Sequence, residues 1–165
     1  MNQNSNNIVD TTGVNIKFFS QDFDSNHMQQ WDKLVEESNH AWLYNTRAYL
    51  NHVEYVNNTL SNSGLINLSF GVFISSNDEL VCGMNLYFQN NPPRIDCGLS
   101  GPFYKGDYDT RLENIMFNFV DDFCRNNSLE SSAMRYSMLA PAYRHLLNQP
   151  VIKNPLQKYT YELAL

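Results

Sequence analysis

The spacing of apolar residues changes twice along this chain, and that change limits the fold more than any other feature. Met28, Trp31, Leu34 and Val35 recur at helical spacing, as do Tyr49, Leu50, Val53, Val56 and Leu60. From Ile66 to Phe88 the apolar residues instead follow the pattern of extended chain, and from Leu112 to Phe123 the helical period returns. The spacing therefore predicts an α/β protein in which helices flank a sheet.

Local signals set the boundaries. Ile16-Lys17-Phe18-Phe19 suits a short buried strand, followed by the turn-like Ser20-Gln21-Asp22. Asp24, Ser25 or Asn26 is placed to cap the first helix, Thr46 the second and Asp109 the third, which Asn126-Asn127 stops. Segments 66–74 and 80–88 flank a polar connection at 75–79 and read as an antiparallel hairpin. A third strand is expected over Arg94 to Cys97, before a stretch broken by Gly98, Gly101 and Gly106. Ser132 to Leu139 reads as a strand, Pro141 opens a short helix, and Lys158 to Leu165 reads as a last strand. Residues 1–14 are polar, lack periodicity and read as a disordered tail, leaving 15–165 as one lobe.

Composition removes several functional classes. A chain of 165 residues, 42% hydrophobic and 17% charged, has the size of one domain and is not of disordered type. No apolar run approaches the roughly 20 residues that span a bilayer, so no transmembrane segment is expected. The net charge is −6 with the basic residues scattered, which argues against direct nucleic-acid binding. Cys82, Cys97 and Cys124 are widely spaced without a CxxC or Cys/His pattern, so no metal site is expected. The amino terminus has neither a basic nor an apolar region of secretory type, and the expected location is cytoplasmic.

The order strand, two helices, three strands, helix, strand, helix, strand resembles the GNAT acyltransferase fold, a mixed, mainly antiparallel sheet flanked by helices. Trp31-Asp32-Lys33-Leu34-Val35 followed by Leu43-Tyr44-Asn45-Thr46-Arg47-Ala48-Tyr49 is similar to the opening of the FemAB-like branch. Ser100-Gly101-Pro102-Phe103, Ala133-Met134-Arg135-Tyr136 and Tyr159-Thr160-Tyr161-Glu162-Leu163 resemble later segments of that branch's first lobe. The resemblance implies an N-acyl or aminoacyl transferase of which this chain is the acceptor-side lobe, inactive alone. It also implies a second GNAT-like lobe that holds acyl-CoA or aminoacyl-tRNA. The apolar ending Leu163-Ala164-Leu165 fits an expected truncation before that lobe.

A GNAT enzyme holds the CoA pyrophosphate on backbone amides of a Gln/Arg-x-x-Gly-x-Gly/Ala loop before its third helix. The corresponding segment, Gly98 to Asp109, lacks that spacing, contains Pro102 and carries Asp107 and Asp109 where a pyrophosphate would be repelled. No cofactor is therefore expected on this lobe. The resemblance places a polar, amine-bearing acceptor near Tyr44, Arg47, Tyr104, Lys105, Arg135 and Tyr136. Pairings such as Cys97 with His145 or Cys82 with His52 lack support as a thiol and base, and no catalytic residue is assigned. Trp42, in a connection, is the aromatic residue that helical spacing does not explain, and it suits contact with another lobe. Two other readings compete: a noncatalytic module that binds a peptide or partner, and a single-lobe acetyltransferase with an atypical cofactor loop.

Overall fold

From Ile66 to Asn90 the chain doubles back as one antiparallel hairpin. Each arm is interrupted once: β2 (Ile66–Asn67) and β3 (Phe70–Ile74) make the first arm, β4 (Glu79–Met84) and β5 (Tyr87–Asn90) the second. The register is unchanged across the interruption. Ile66 lies opposite Phe88 and Phe70 opposite Met84, while between them Leu68 N–H donates to the Leu86 carbonyl at 2.8 Å. This computed structural model describes residues 12–60, 64–90, 93–96 and 101–131.

The uninterrupted strands expected over 66–74 and 80–88 are thus corrected to two pairs of shorter ones. Side chains at the break take over donors that a regular ladder would use. Ser69 N–H donates to Asn67 Oδ1 at 3.0 Å, and Leu86 N–H donates to Ser69 Oγ at 3.2 Å. Side-chain bonds of this kind to the main chain compete with the ladder. The Ser69 carbonyl turns to Phe19 N–H, 2.7 Å away.

Further strands add to this hairpin. β1 (Val14–Phe18) begins two residues before the apolar run and pairs antiparallel with β3. The return strand comes in two pieces, β6 (Pro93–Asp96) against β5 and β7 (Phe103–Tyr104) against β4, both antiparallel. β8 (Glu130–Ser131) then joins β6 in parallel. Among the described residues the result is two four-stranded sheets, β1-β3-β4-β7 and β2-β5-β6-β8. The expected elements over 132–139, after Pro141 and over 158–165 lie outside the described residues.

The helices follow from their caps and apolar faces. In α1 (Ser25–Glu37) the Asp24 carboxylate accepts from His27 N–H, and His27, Trp31 and Leu34 are buried along one face. Thr46 caps α2 (Arg47–Thr59), whose Leu50 is fully buried. Asp109 caps α3 (Thr110–Asn126). Strand alternation sorts the contacts, and a register shift between Val72 and Phe73 turns Leu80 to the side opposite Cys82. Cys82, Met84 and Leu86 pack with Ile115, Met116 and Val120 of α3, whereas Leu80, Tyr87 and Phe103 pack with Trp31, Leu34 and Leu50. Each large side chain so buried contributes about 1.5–3 kcal/mol of transfer free energy. Trp31 also donates its indole N–H to the Asn45 carbonyl at 2.8 Å, fixing α1 against the following 3-10 turn, Leu43–Asn45.

The hairpin tip is anchored to α1. Asp78, at φ 55°, accepts from Lys17 Nζ at 2.6 Å and lies 2.7 Å from His27 Nε2. His27 Nδ1 accepts from Asp24 N–H, which leaves Nε2 facing Asp78 and Lys17. Gln30 completes the anchor by donating to the Asp78 carbonyl and accepting from Leu80 N–H.

Gly83 sits where Trp31 of α1 packs closely on β4. A Cβ there would stand 2.6 Å from Phe103 Cζ and 2.9 Å from Trp31 Cζ3, both in fully buried rings. Gly83→Ala is expected to destabilise the fold by about 1–3 kcal/mol, the cost of overpacking a filled core. Urea unfolding checks this, and an unchanged midpoint contradicts the packing described.

Candidate functional site

A strand face covered by helices is ordinarily apolar. Beside the hairpin interruption, under the 3-10 turn and α2, this one is polar: Asn67, Asn85 and Tyr87 are all buried. Asn45, from the 3-10 turn, adds a third buried asparagine. The asparagines hold the scaffold. Asn45 Nδ2 donates to Asn85 Oδ1 at 3.3 Å, Asn85 Nδ2 donates to the Tyr44 carbonyl at 2.7 Å, and Trp42 N–H donates to Asn45 Oδ1 at 2.8 Å.

Tyr87 differs from them. It is 5% exposed, and its hydroxyl has no hydrogen-bond partner among the described residues. Asp96 lies directly across the β5–β6 ladder from it. On the helix side, Leu50 packs in the same core as Tyr87, and Glu54 follows one turn later on the same face. The rings of Tyr44 and Tyr49 meet edge to face with centroids 4.9 Å apart. Burial pushes the Tyr87 phenol above its ordinary range, and Tyr49, Asp96 and Glu54 push it further. Tyr49 moves the same way through burial and then Tyr44. Both hydroxyls therefore stay protonated at neutral pH. The layer combines aromatic faces, a hydroxyl donor and two carboxylates, a set suited to recognition rather than to nucleophilic attack.

The residues singled out in the sequence are distributed unequally. Tyr44 belongs to this layer. Arg47 turns away from it, donating from Nε to Asp32 Oδ1 at 2.7 Å and closing α1 against α2. Tyr104 is fully buried on the opposite face of the sheet, in the α3 core, so it does not meet Tyr44. Lys105 pairs with Glu79 on the rim of a groove of about 140 Å³ shared with Gln30, Lys33 and Glu37. That is small beside the roughly 300–1,000 Å³ of ligand pockets. Arg135 and Tyr136 lie outside the described residues. Trp42 is exposed, and Cys82 is fully buried with its thiol pushed up by burial while His52 is exposed.

Glu54, Tyr87 and Asp96 were not singled out in the sequence. One signal was available: Glu54 follows Leu50 by four residues and so places a carboxylate on the apolar stripe. At the start of α3, Asp109 Oδ1 accepts from Arg111 N–H at 2.7 Å and Leu112 N–H at 3.3 Å, occupying the helix's first free amides. Among the described residues no group of three His, Cys, Asp or Glu side chains is placed to hold a metal ion, and no helix is long and apolar enough to cross a membrane. No protein-family model, no curated protein and no solved structure matches the chain.

His40, between α1 and the 3-10 turn, is 5% exposed with neither ring nitrogen bonded among the described residues. Its ring meets Tyr104 edge to face at 5.3 Å. Burial lowers its pKa below the ordinary histidine value, and Asp107 opposes that shift in part. The unfolded chain therefore takes up this proton at a higher pH than the native one. Stability attributable to His40 is intact above the ordinary value near 6.5 and falls as pH drops below it, levelling once the native histidine also protonates. Thermal unfolding of the wild type and His40→Phe between neutral pH and pH about 5 is expected to show a weaker acid dependence in the variant. Parallel profiles refute the assignment.

Proposed function

We propose that this chain is the acceptor-side lobe of a GNAT-superfamily, FemAB-like acyl or aminoacyl transferase, and that it holds no acyl-CoA itself. The observation that carries the reading is the path of the chain. Antiparallel strands β1, β3 and β4 and the return strand β6–β7 are followed by α3 and then by β8, which pairs in parallel with β6. The order of elements, with the two helices α1 and α2 between the first strand and the hairpin and α3 before β8, supports the reading.

The start of α3 supports the division of labour. A pyrophosphate at that helix would need the amides of Arg111 and Leu112, which the Asp109 carboxylate already engages, and the same negative charge would repel it. A partner lobe would therefore carry acyl-CoA or aminoacyl-tRNA. This lobe would contribute surfaces that position the acceptor, whose amine attacks the thioester or ester carbonyl and displaces the thiol or alcohol as the leaving group.

Isothermal titration of the full chain with acetyl-CoA is expected to show no saturable binding at micromolar concentration, and a thiol assay no CoA release. Micromolar binding would overturn the reading in favour of a single-lobe acetyltransferase. In parallel, Asp109→Ala is expected to cost about 0.5–2 kcal/mol of stability through loss of the cap, measured by urea unfolding. An unchanged stability would mean that the carboxylate does not serve those amides.

A further inference from the structure

We propose that His40 is a proton-operated latch: while neutral, its ring holds the connection between α1 and the 3-10 turn against β7, and on taking up a proton it leaves that seat and changes the surface presented by Trp42. The device does not depend on the acceptor-side reading.

The shape of the connection carries the inference. Both of its ends are fixed. Ser38 closes α1, its N–H donating to the Leu34 carbonyl at 3.0 Å, and Asn45 is held by the Trp31 indole N–H at 2.8 Å and by its own amide bond to Asn85. Among residues 39–44 His40 is the one buried residue, with Asn39, Trp42 and Leu43 exposed and Ala41 and Tyr44 half-buried. The middle of the connection is therefore kept down chiefly by one side chain. Its ring stands edge to face on Tyr104 of β7, with centroids 5.3 Å apart. Ser38 Oγ ties the same two residues, accepting from His40 N–H at 3.2 Å and from Tyr104 N–H at 3.3 Å.

This seat suits the neutral ring. An imidazolium has two N–H donors to satisfy, and the described residues packed on His40 offer neither nitrogen an acceptor. From β7 comes the aromatic face of Tyr104, and Lys105 beside it is paired with Glu79. From the connection after β7 comes Asp107, the charged group that acts on the ring, and Asp107 is itself exposed. Glu36 and Glu37, in the last turn of α1, are exposed as well. Burial opposes the charged ring more strongly than Asp107 favours it, which holds the pKa below the ordinary histidine value. A protonated ring that stays in place remains desolvated, whereas one that turns out meets water. Proton uptake thus becomes a displacement of residues 39–42 away from the Tyr104 face.

The test is two-dimensional NMR of the full chain, following the histidine, tyrosine and tryptophan ring signals between pH about 7.5 and about 5. The His40 signal is expected to titrate with a midpoint below 6.5. The Tyr104 and Trp42 ring signals are expected to shift with that same midpoint, while the Trp31 indole N–H signal keeps its position. In His40→Phe the Tyr104 and Trp42 shifts are expected to vanish. Asp107→Asn, a change at an exposed position, is expected to lower the midpoint and serves as the test if His40→Phe fails to fold. A His40 titration that leaves Trp42 unmoved overturns the latch, because the ring then charges in its seat. Shifts of Trp42 that persist in His40→Phe overturn it too, as does a midpoint unchanged by Asp107→Asn. Movement of the Trp31 signal together with Trp42 also overturns it, since the whole core is then giving way. None of these outcomes bears on acyl-CoA binding, so the acetyl-CoA titration judges the acceptor-side reading separately.

Discussion

A single antiparallel register, kept from Ile66 opposite Phe88 to Val72 opposite Cys82, determines which side chains each helix layer receives. Because strand side chains alternate with a period of two, a slip of one residue would move Tyr87 and Asn85 to the α3 side and Met84 and Leu86 to the α1 side. Register is held at both ends of the hairpin. At the tip, Lys17 and His27 converge on Asp78 while Gln30 bridges to Leu80. At the far end, the Asn67 side chain makes a local bond to Ser69 N–H and the Ser69 hydroxyl takes up Leu86 N–H across the strands.

That replacement has a counterpart on the helix side of the sheet. Where the ladder is interrupted, the strands turn amide and phenol side chains toward the 3-10 turn and α2, and Asn45 and Asn85 join them into a bonded scaffold. A net gain of about 1 kcal/mol per bond is modest, but an unmet amide there would cost more. The asparagines therefore fix the position of the Leu43–Asn45 turn and, through it, of Tyr44. The rigid half of the layer is built from bonds the chain makes to itself.

Much of the scaffold was legible because it depends on short-range chemistry. Asp24, Thr46 and Asp109 announce their helices by the capping preference of carboxylates and hydroxyls, and all three side chains accept the amide bonds expected of them. The hairpin connection at 75–79 was similarly visible as a polar gap between apolar runs. The breaks at Leu68-Ser69 and Asn85-Leu86 were not, since they depend on which side chain lies across the ladder, and Ser69 meets Leu86 only after the strands have paired. The site divides in the same way. Tyr44 was singled out from its neighbours in sequence, whereas Asp96 gains its place opposite Tyr87 from pairing alone. Tyr104 and Lys105 are adjacent in sequence, yet the first enters the α3 core while the second reaches Glu79. Arg47 illustrates the reverse case: its charge was evident, and its commitment to Asp32 required the packing of α1 on α2.

The two tryptophans stand in opposite surroundings. Trp31 is sealed beneath α1 with its indole N–H bonded to a main-chain carbonyl, while Trp42 is 45% exposed eleven positions later. Their emission should therefore divide into a blue component shielded from aqueous quenchers and a redder one that iodide can reach. The chain thus carries its own pair of optical probes, one reporting the integrity of the interior and the other any contact that covers the turn before α2.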